Sequence, residues 1–161
     1  MTADETIFRV AFEEADLGMM AISTEGCFVS VNKAFCRMLG YARSELESLS
    51  YLDITHQDDR NEAWKSFCQL LSDGVADTGK SRRRYVHKTG HYVWGDSTKA
   101  LVRDSESRPL CFMAYVSEIG ESERGLRRSK ETIEALLNAS TDRERNPLSA
   151  FVADTISFSS K

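Results

Sequence analysis

Strand-forming residues alternate with polar ones in two segments, and each segment is divided by a short turn that contains glycine. The first segment spans 18–31 with its turn at 24–26, and the second spans 81–103 with its turn at 88–90. Glycine supplies the positive φ angle that a three-residue hairpin loop requires. A further apolar run at 110–117 has the length of one strand. The pattern therefore predicts two β-hairpins and a fifth strand.

Apolar residues at helical spacing predict helices before and after the first hairpin. A short amphipathic helix is expected at 6–15. Asn32 is a suitable N-cap for a helix that continues to Leu39, and Gly40 can close its C-terminus. Residues 44–49 favour a looser half-helix. These helices are short and would cover a sheet rather than stand alone.

A longer helix is predicted at 58–71. Trp64, Phe67, Cys68 and Leu71 fall at the i, i+3, i+4, i+7 spacing of one buried face. The connections within each strand group are short, which favours antiparallel pairing. The predicted fold class is therefore α+β, with an antiparallel sheet and helices packed together on one face.

The composition is typical of an ordinary soluble protein. Its 161 residues are 41% hydrophobic and carry a net charge of -4, enough for one core and an appendage. No run is long enough to span a bilayer, and residues 1–5 are acidic where a signal peptide would be basic, so a cytoplasmic location is expected. The four cysteines are isolated within apolar segments, which favours reduced, buried thiols over disulfides or a metal site: Cys27, Cys36, Cys68 and Cys111.

Four segments in a fixed order resemble a known family. They are 31–41, 53–59, 85–94 and 117–119, and together they are similar to a PAS domain with its C-terminal PAC segment. The resemblance covers about residues 6–120. It implies a five-stranded antiparallel sheet with an N-terminal cap helix, a C-terminal signalling helix and a pocket between sheet and helices. Such domains are usually input modules of bacterial signalling proteins, including two-component systems.

The sequence departs from the family pattern at four positions. The family commonly has Pro at the position of Gln57, Asp at Thr89, and Asp-Ile-Thr where this chain has Glu118-Ile119-Gly120. Proline at position 57 would only preset the first turn of a helix, so its loss is mild. Gly120 lacks the hydroxyl that Thr often supplies there and loosens the exit from the last strand. The departure at Gly120 therefore predicts weaker coupling to the following helix than the family pattern implies.

The predicted organisation has four parts. Residues 1–17 form the cap helix, 18–120 the sensory domain, 121–138 a coiled-coil-like linker helix and 139–161 a polar tail that either is a stub or marks a truncated unit.

The linker helix carries a heptad trace. Ile119, Leu126 and Ile133 are spaced by seven, while Ser122 and Ser129 weaken the second seam position. We therefore expect a homodimer that also needs the sheet domains. Glu118, Ile119 and Leu126 are the predicted signal relay.

The resemblance also implies an output domain such as a histidine kinase or a diguanylate cyclase. The chain contains neither a phosphoacceptor histidine on a predicted helix nor a glycine-rich nucleotide loop. It is therefore expected to be noncatalytic, with any catalytic domain outside this sequence.

The family pattern offers two cofactors, flavin and haem. The light-sensing branch uses a reactive cysteine on a later helix, whereas the only Cys-Arg pair here begins at Cys36, where packing is the favoured interpretation. Haem is disfavoured because the histidines lie in turns or beside a hairpin loop: His56, His87 and His91. A noncovalent flavin stacked on Trp64 or Trp94 remains a candidate cofactor.

The predicted ligand pocket depends on strand register, since a slip of one residue exchanges the two faces. Its walls are predicted from helix faces and strand residues: Phe35, Met38, Leu39, Ile54, Trp94 and Met113. The favoured function is a sensory and dimerisation module for a small ligand or partner protein.

The strand pattern disfavours two alternative functions. A small α+β enzyme with a cone-shaped cavity would pair Asp96 with a strand-end histidine, but Asp96 and His91 are an odd number of positions apart and face opposite sides. Nucleic-acid binding is disfavoured because alternation separates Arg83 from Arg82 and Arg84.

Overall fold

The computed structural model describes residues 1–72, 78–120 and Ile133, and five strands in this part of the chain form one antiparallel sheet. The strands are Gly18–Ile22 (β1), Phe28–Val31 (β2), Thr78–Val86 (β3), Tyr92–Arg103 (β4) and Pro109–Glu118 (β5), in the spatial order β2-β1-β5-β4-β3. The helices are Ala3–Glu14 (α1), Lys33–Leu39 (α2), Arg43–Glu47 (α3) and Arg60–Ser72 (α4), and a 3-10 turn at Gln57–Asp59 precedes α4. The predicted α+β fold with a five-stranded antiparallel sheet is confirmed.

Local capping and turn signals in the sequence match the structure. Asn32 caps α2 by accepting the Phe35 backbone N–H, and Gly40 closes that helix in the left-handed conformation with φ of 77°. The turn glycines Gly26 and Gly90 have φ angles of 92° and 94°. Both predicted hairpins therefore form where the turn glycines indicated.

Each face of the sheet supports its own core. The face beneath α2, α3 and α4, here called the helix-covered face, holds Phe35, Phe67 and Phe112. The opposite face, here called the α1 face, packs against Phe8 and Phe12. The helices between β2 and β3 share one face as predicted, and the structure adds that the cap helix covers the other.

Ile133 joins the core on the α1 face and is 1% exposed. The prediction of Ile133 as a seam residue of the dimer was therefore wrong, because its side chain packs against the sheet and α1 of its own chain. The other residues of the predicted linker helix and the tail, including Leu126, lie outside the described residues, so those assignments and the four-part division stay predictions.

The buried stripe of α4 differs from the predicted one. Trp64 is 42% exposed, whereas Ala63, Phe67 and Leu70 are buried. Spacing shows that a helix has an apolar face, but the position of the sheet decides which edge of that face is covered. The prediction therefore placed the buried face of α4 too far towards Trp64.

The cysteines are all free, but only Cys111 is fully buried and Cys27 is exposed. The expectation of buried thiols was therefore wrong for Cys27. None of the helices among the described residues has the length and apolar character needed to span a membrane.

Candidate functional site

A cavity of about 20 Å³ lies between the helix-covered face and the segment that precedes α4. This volume accommodates one or two water-sized groups. The lining combines apolar residues with two cations and two phenols: Met20, Ile22, Phe28, Tyr51, Ile54, Thr55, Arg83, Tyr85, Ser97, Lys99, Ala114 and Val116. The lining is largely apolar with a few polar groups, and the volume is far below that of a typical drug-sized ligand pocket.

One wall of the cavity is attached to the sheet edge by backbone hydrogen bonds. The Val86 N–H donates to the Ile54 carbonyl at 2.7 Å, and the His56 N–H donates to the Arg84 carbonyl at 3.0 Å. The Thr55 hydroxyl donates to the Tyr51 carbonyl at 2.7 Å. These bonds satisfy backbone polar groups in a segment that has no regular secondary structure of its own. They also hold Ile54 against the cavity.

Two basic side chains are buried on the helix-covered face. Arg83 is 7% exposed and Lys99 is 5% exposed. The Arg83 Nε donates to the Ser81 hydroxyl at 3.0 Å, and the Lys99 ammonium lies 5.8 Å from the ring centroids of both Tyr51 and Phe67. Burial, reinforced by the positive charge of Arg83, lowers the pKa of Lys99 to about 8.

The two tyrosines of the cavity are kept neutral by their surroundings. Burial raises the pKa of Tyr51 and of Tyr85 above the ordinary value for a phenol. The Tyr51 hydroxyl donates to the Ala63 carbonyl at 3.2 Å and so ties the cavity to α4. Neither phenol supplies a negative charge to balance Arg83 or Lys99.

The structure separates the six residues predicted to line the pocket. Ile54 lines the cavity, and Phe35 and Leu39 are buried in the same core with Met38 packed partly against it. Trp94 and Met113 instead lie on the α1 face.

Register explains the misplacement of Trp94 and Met113. Trp94 pairs with Arg84 and is 49% exposed, and Met113 is buried in the core beside α1. On each strand the immediate neighbours point to the cavity side instead, because side chains alternate. The assignment of a ligand to the cavity stays a prediction.

Sequence reasoning missed Lys99 and Arg83 as cavity residues. Their signal was present in the period of two: Ser97, Lys99 and Leu101 share one face of β4, and the turn at Gly90 fixes which β3 residues oppose them. The run of basic residues alone favours a solvated strand, and the structure differs at Arg83 and Lys99 because the segment before α4 covers them. The predicted separation of Arg83 from its neighbours is confirmed.

The two neighbouring arginines have carboxylate partners outside the cavity. The Arg82 guanidinium donates to Asp96 at 2.8 and 3.1 Å, and that of Arg84 donates to Asp59 at 3.0 and 2.5 Å. The second pair holds the pKa of Asp59 at about 2. Asp96, proposed above as an acid in the enzyme alternative, is thus held in an ion pair.

The residues weighed for cofactor chemistry lie away from the cavity. None of the three histidines lines it, and His87 and His91 share the Thr89 hydroxyl at 2.8 and 2.9 Å. Burial raises the pKa of Cys36, which opposes thiolate formation and supports a packing role. A flavin ring system does not fit a cavity of this volume unless its walls move. Within the described residues no group of three potential metal ligands occurs.

Two of the three predicted relay residues, Glu118 and Ile119, lie where β5 leaves the sheet. Glu118 pairs with Gly95, and the Ile119 N–H donates to the Trp94 carbonyl at 2.9 Å. Gly120 follows with φ of 117°, a conformation that a side chain would strain. The glycine that departs from the family pattern therefore has a backbone reason to be there.

Comparisons with known proteins agree with this geometry. The family model described as "PAS fold" matches residues 28–116. The chain is 35% identical over 124 residues to the probable diguanylate cyclase DgcE of Escherichia coli, covering 77% of this chain and 11% of that protein. It is 22% identical over 156 residues to the sensor histidine kinase TmoS of Ectopseudomonas mendocina, covering 97% of this chain and 16% of that protein. The chain thus spans a small part of these relatives.

Solved structures share the fold at low sequence identity. A PAS domain from Colwellia psychrerythraea superposes with a TM-score of 0.66 at 14% identity, covering 73% of this chain and 98% of that one. The LOV protein of Rhodobacter sphaeroides superposes with a TM-score of 0.65 at 15% identity, covering 100% and 99%. From the family model, the sheet order and these neighbours together, the chain belongs to the PAS-fold family.

Proposed function

We propose that the chain is a cytoplasmic sensory and dimerisation module that binds a small ligand in the cavity and transmits a conformational change to its C-terminal segment. The observation that carries the proposal is the course of β5. Ala114 and Val116 of this strand line the cavity, and Glu118 ends the same strand at the exit. The sensing and output ends are thus about 13 Å apart on one strand.

A change in the cavity has a direct mechanical route to the exit. Lys99 of β4 pairs with Ala114 of β5, and the same strand pair ends where the Ile119 N–H reaches the Trp94 carbonyl. A ligand that presses on Ala114 or Val116 would alter the packing of β5 between its neighbours. Because strands move as units within a hydrogen-bonded ladder, the exit would shift with them.

The output belongs to a domain outside this sequence. The similar proteins named above are a probable diguanylate cyclase and a sensor histidine kinase, and both are much longer than this chain. We propose an output domain of one of these two classes, with a homodimer as the working state. The family's sensory role, rather than catalysis, is the function assigned to the chain itself.

Native mass spectrometry of the purified chain tests the ligand. We expect an adduct that Ala114→Val removes, since valine adds two methyl groups to a cavity that holds one or two water-sized groups. Ala100→Val is the matched control, because Ala100 is buried on the α1 face and its variant should keep the adduct. Absence of any adduct, or its survival in Ala114→Val, would contradict ligand binding at this site.

Sedimentation equilibrium tests the dimer. Deleting residues 119–138 should weaken self-association, because this segment contains Ile119 and Leu126 of the heptad trace that the sequence predicts. Ile133 of the same trace is buried in the core of its own chain, so circular dichroism must show that the deletion variant stays folded. Deleting 139–161 is the matched control and should leave association unchanged. A dimer of unaltered affinity in the first deletion would remove the segment from the interface.

A further inference from the structure

A second and larger hollow lies outside the cavity, between the turn of the first hairpin and the start of α4, and is here called the outer groove. Its volume is about 370 Å³. This volume is within the range of small-molecule sites, so the outer groove has room for a larger molecule than the cavity. Its lining includes two aromatic rings and two opposite charges: Glu25, Gly26, Tyr51, Leu52, Arg60 and Trp64.

Gly26 gives the outer groove an aromatic floor. A Cβ atom at this position would lie 3.1 Å from the Tyr51 ring and 3.6 Å from the Trp64 ring, so the missing side chain lets both rings approach the turn. The Tyr51 N–H donates to the Gly26 carbonyl at 3.0 Å, and Trp64 stacks on Phe67 with an interplanar angle of 13°. These contacts fix both rings in the absence of a ligand. Tyr51 also lines the cavity, so the two hollows share one wall.

The two charged side chains of the outer groove come from different elements and do not neutralise each other. Glu25 accepts from the Thr24 hydroxyl at 3.1 Å, and the Arg60 Nε donates to the Thr55 carbonyl at 3.0 Å. Within residues 1–72 and 78–120, neither Glu25 nor Arg60 belongs to an ion pair. The Arg60 Nη groups and the second Glu25 oxygen therefore stay available to a ligand.

We infer that the outer groove binds the zwitterion of a free amino acid with an apolar or aromatic side chain. Arg60 would take the carboxylate through its Nη groups, and Glu25 would accept from the ammonium group. The side chain of the ligand would pack on the Trp64 ring. A ligand with one charge of each sign also leaves the groove electrically balanced. This inference goes beyond the proposed function, because the outer groove is separate from the cavity.

Tryptophan fluorescence tests the inference with free L-phenylalanine as the probe. The chain has two tryptophans, so Trp94→Phe leaves Trp64 as the reporter in the groove. Excitation at the red edge of tryptophan absorption avoids light absorbed by the probe. We expect a saturable change in the Trp64 emission, and calorimetric titration of the unmodified chain should give the same Kd.

Two analogues of the probe each lack one charge. Phenethylamine has no carboxylate and 3-phenylpropionate has no ammonium group, while both keep the phenyl ring and its two-carbon chain. Each should bind about tenfold more weakly than phenylalanine, because a hydrogen bond between charged groups is lost. Equal affinity for either analogue, or no saturable signal with phenylalanine, overturns the inference.

Charge-removing variants assign the two contacts. Glu25→Gln should weaken phenylalanine binding about tenfold but leave the affinity for 3-phenylpropionate unchanged, since that analogue has no ammonium group. Arg60→Gln should give the reverse pattern, with phenethylamine unaffected. Glu62→Gln is the matched control, because Glu62 is an exposed acidic residue of α4 outside the groove lining, and it should bind phenylalanine normally. Unchanged phenylalanine affinity in Glu25→Gln or in Arg60→Gln contradicts the inference.

Discussion

Asn32→Ala is expected to lower the free energy of unfolding by about 3–5 kcal/mol. Asn32 is fully buried, and its Oδ1 accepts from the Met19 N–H at 2.9 Å and the Phe35 N–H at 3.0 Å. Its Nδ2 donates to the carbonyls of Phe12 and Leu17, both at 2.9 Å. Each buried partner left unsatisfied costs about 1–3 kcal/mol, and local relaxation recovers part of the sum. Urea unfolding followed by circular dichroism measures the loss.

Thr2→Ala is the control that distinguishes the loss of this hydrogen-bond network from the loss of an ordinary helix cap. Thr2 caps α1 through a capping box at the exposed N-terminus, and its loss should cost only about 1 kcal/mol. Asn32 instead joins the end of α1, the start of β1 and the first turn of α2. A cost for Asn32→Ala no larger than that for Thr2→Ala would show that the four bonds do not act as a structural link.

Local signals explain how much of the fold could be predicted from the sequence. Gly26, Gly40 and Gly90 each mark a point where the chain needs a positive φ angle, and the structure has that conformation at all three. Such requirements depend on neighbouring residues alone. Element order and strand pairing follow from them, because short turns leave antiparallel pairing as the simple connection.

The site could not be predicted to the same depth, because it depends on long-range register. Trp94 and Lys99 lie on the same strand but face opposite sides, and only the pairing of β4 with β3 and β5 decides which side the helices cover. In sequence, a strand that exposes three successive arginines looks the same as a strand that buries the middle one. The burial of Arg83 becomes evident once the segment before α4 packs against the sheet to form the cavity.

The same dependence on long-range packing applies to α4, and Phe67→Ala is expected to show it with a loss of about 3–5 kcal/mol in the free energy of unfolding. Phe67 is fully buried, with ring centroids 5.0 Å from Tyr51 and 4.3 Å from Phe112. Truncation removes the contacts between α4 and the sheet and leaves a cavity that the neighbours fill only in part. Urea unfolding measures the change, with the slope of the transition used to check that the native state stays compact.

Trp64→Ala is the matched control on the same helix. The Trp64 ring stacks on Phe67 at 5.6 Å but is 42% exposed, so its loss should cost about 1–2 kcal/mol. The two positions differ mainly in which of them faces the sheet. The ratio of the two losses in free energy of unfolding therefore reports which face of α4 packs on the sheet. Equal losses would contradict the observed face and favour the stripe that spacing alone predicted, because a tryptophan can match a buried phenylalanine only if it is buried as well.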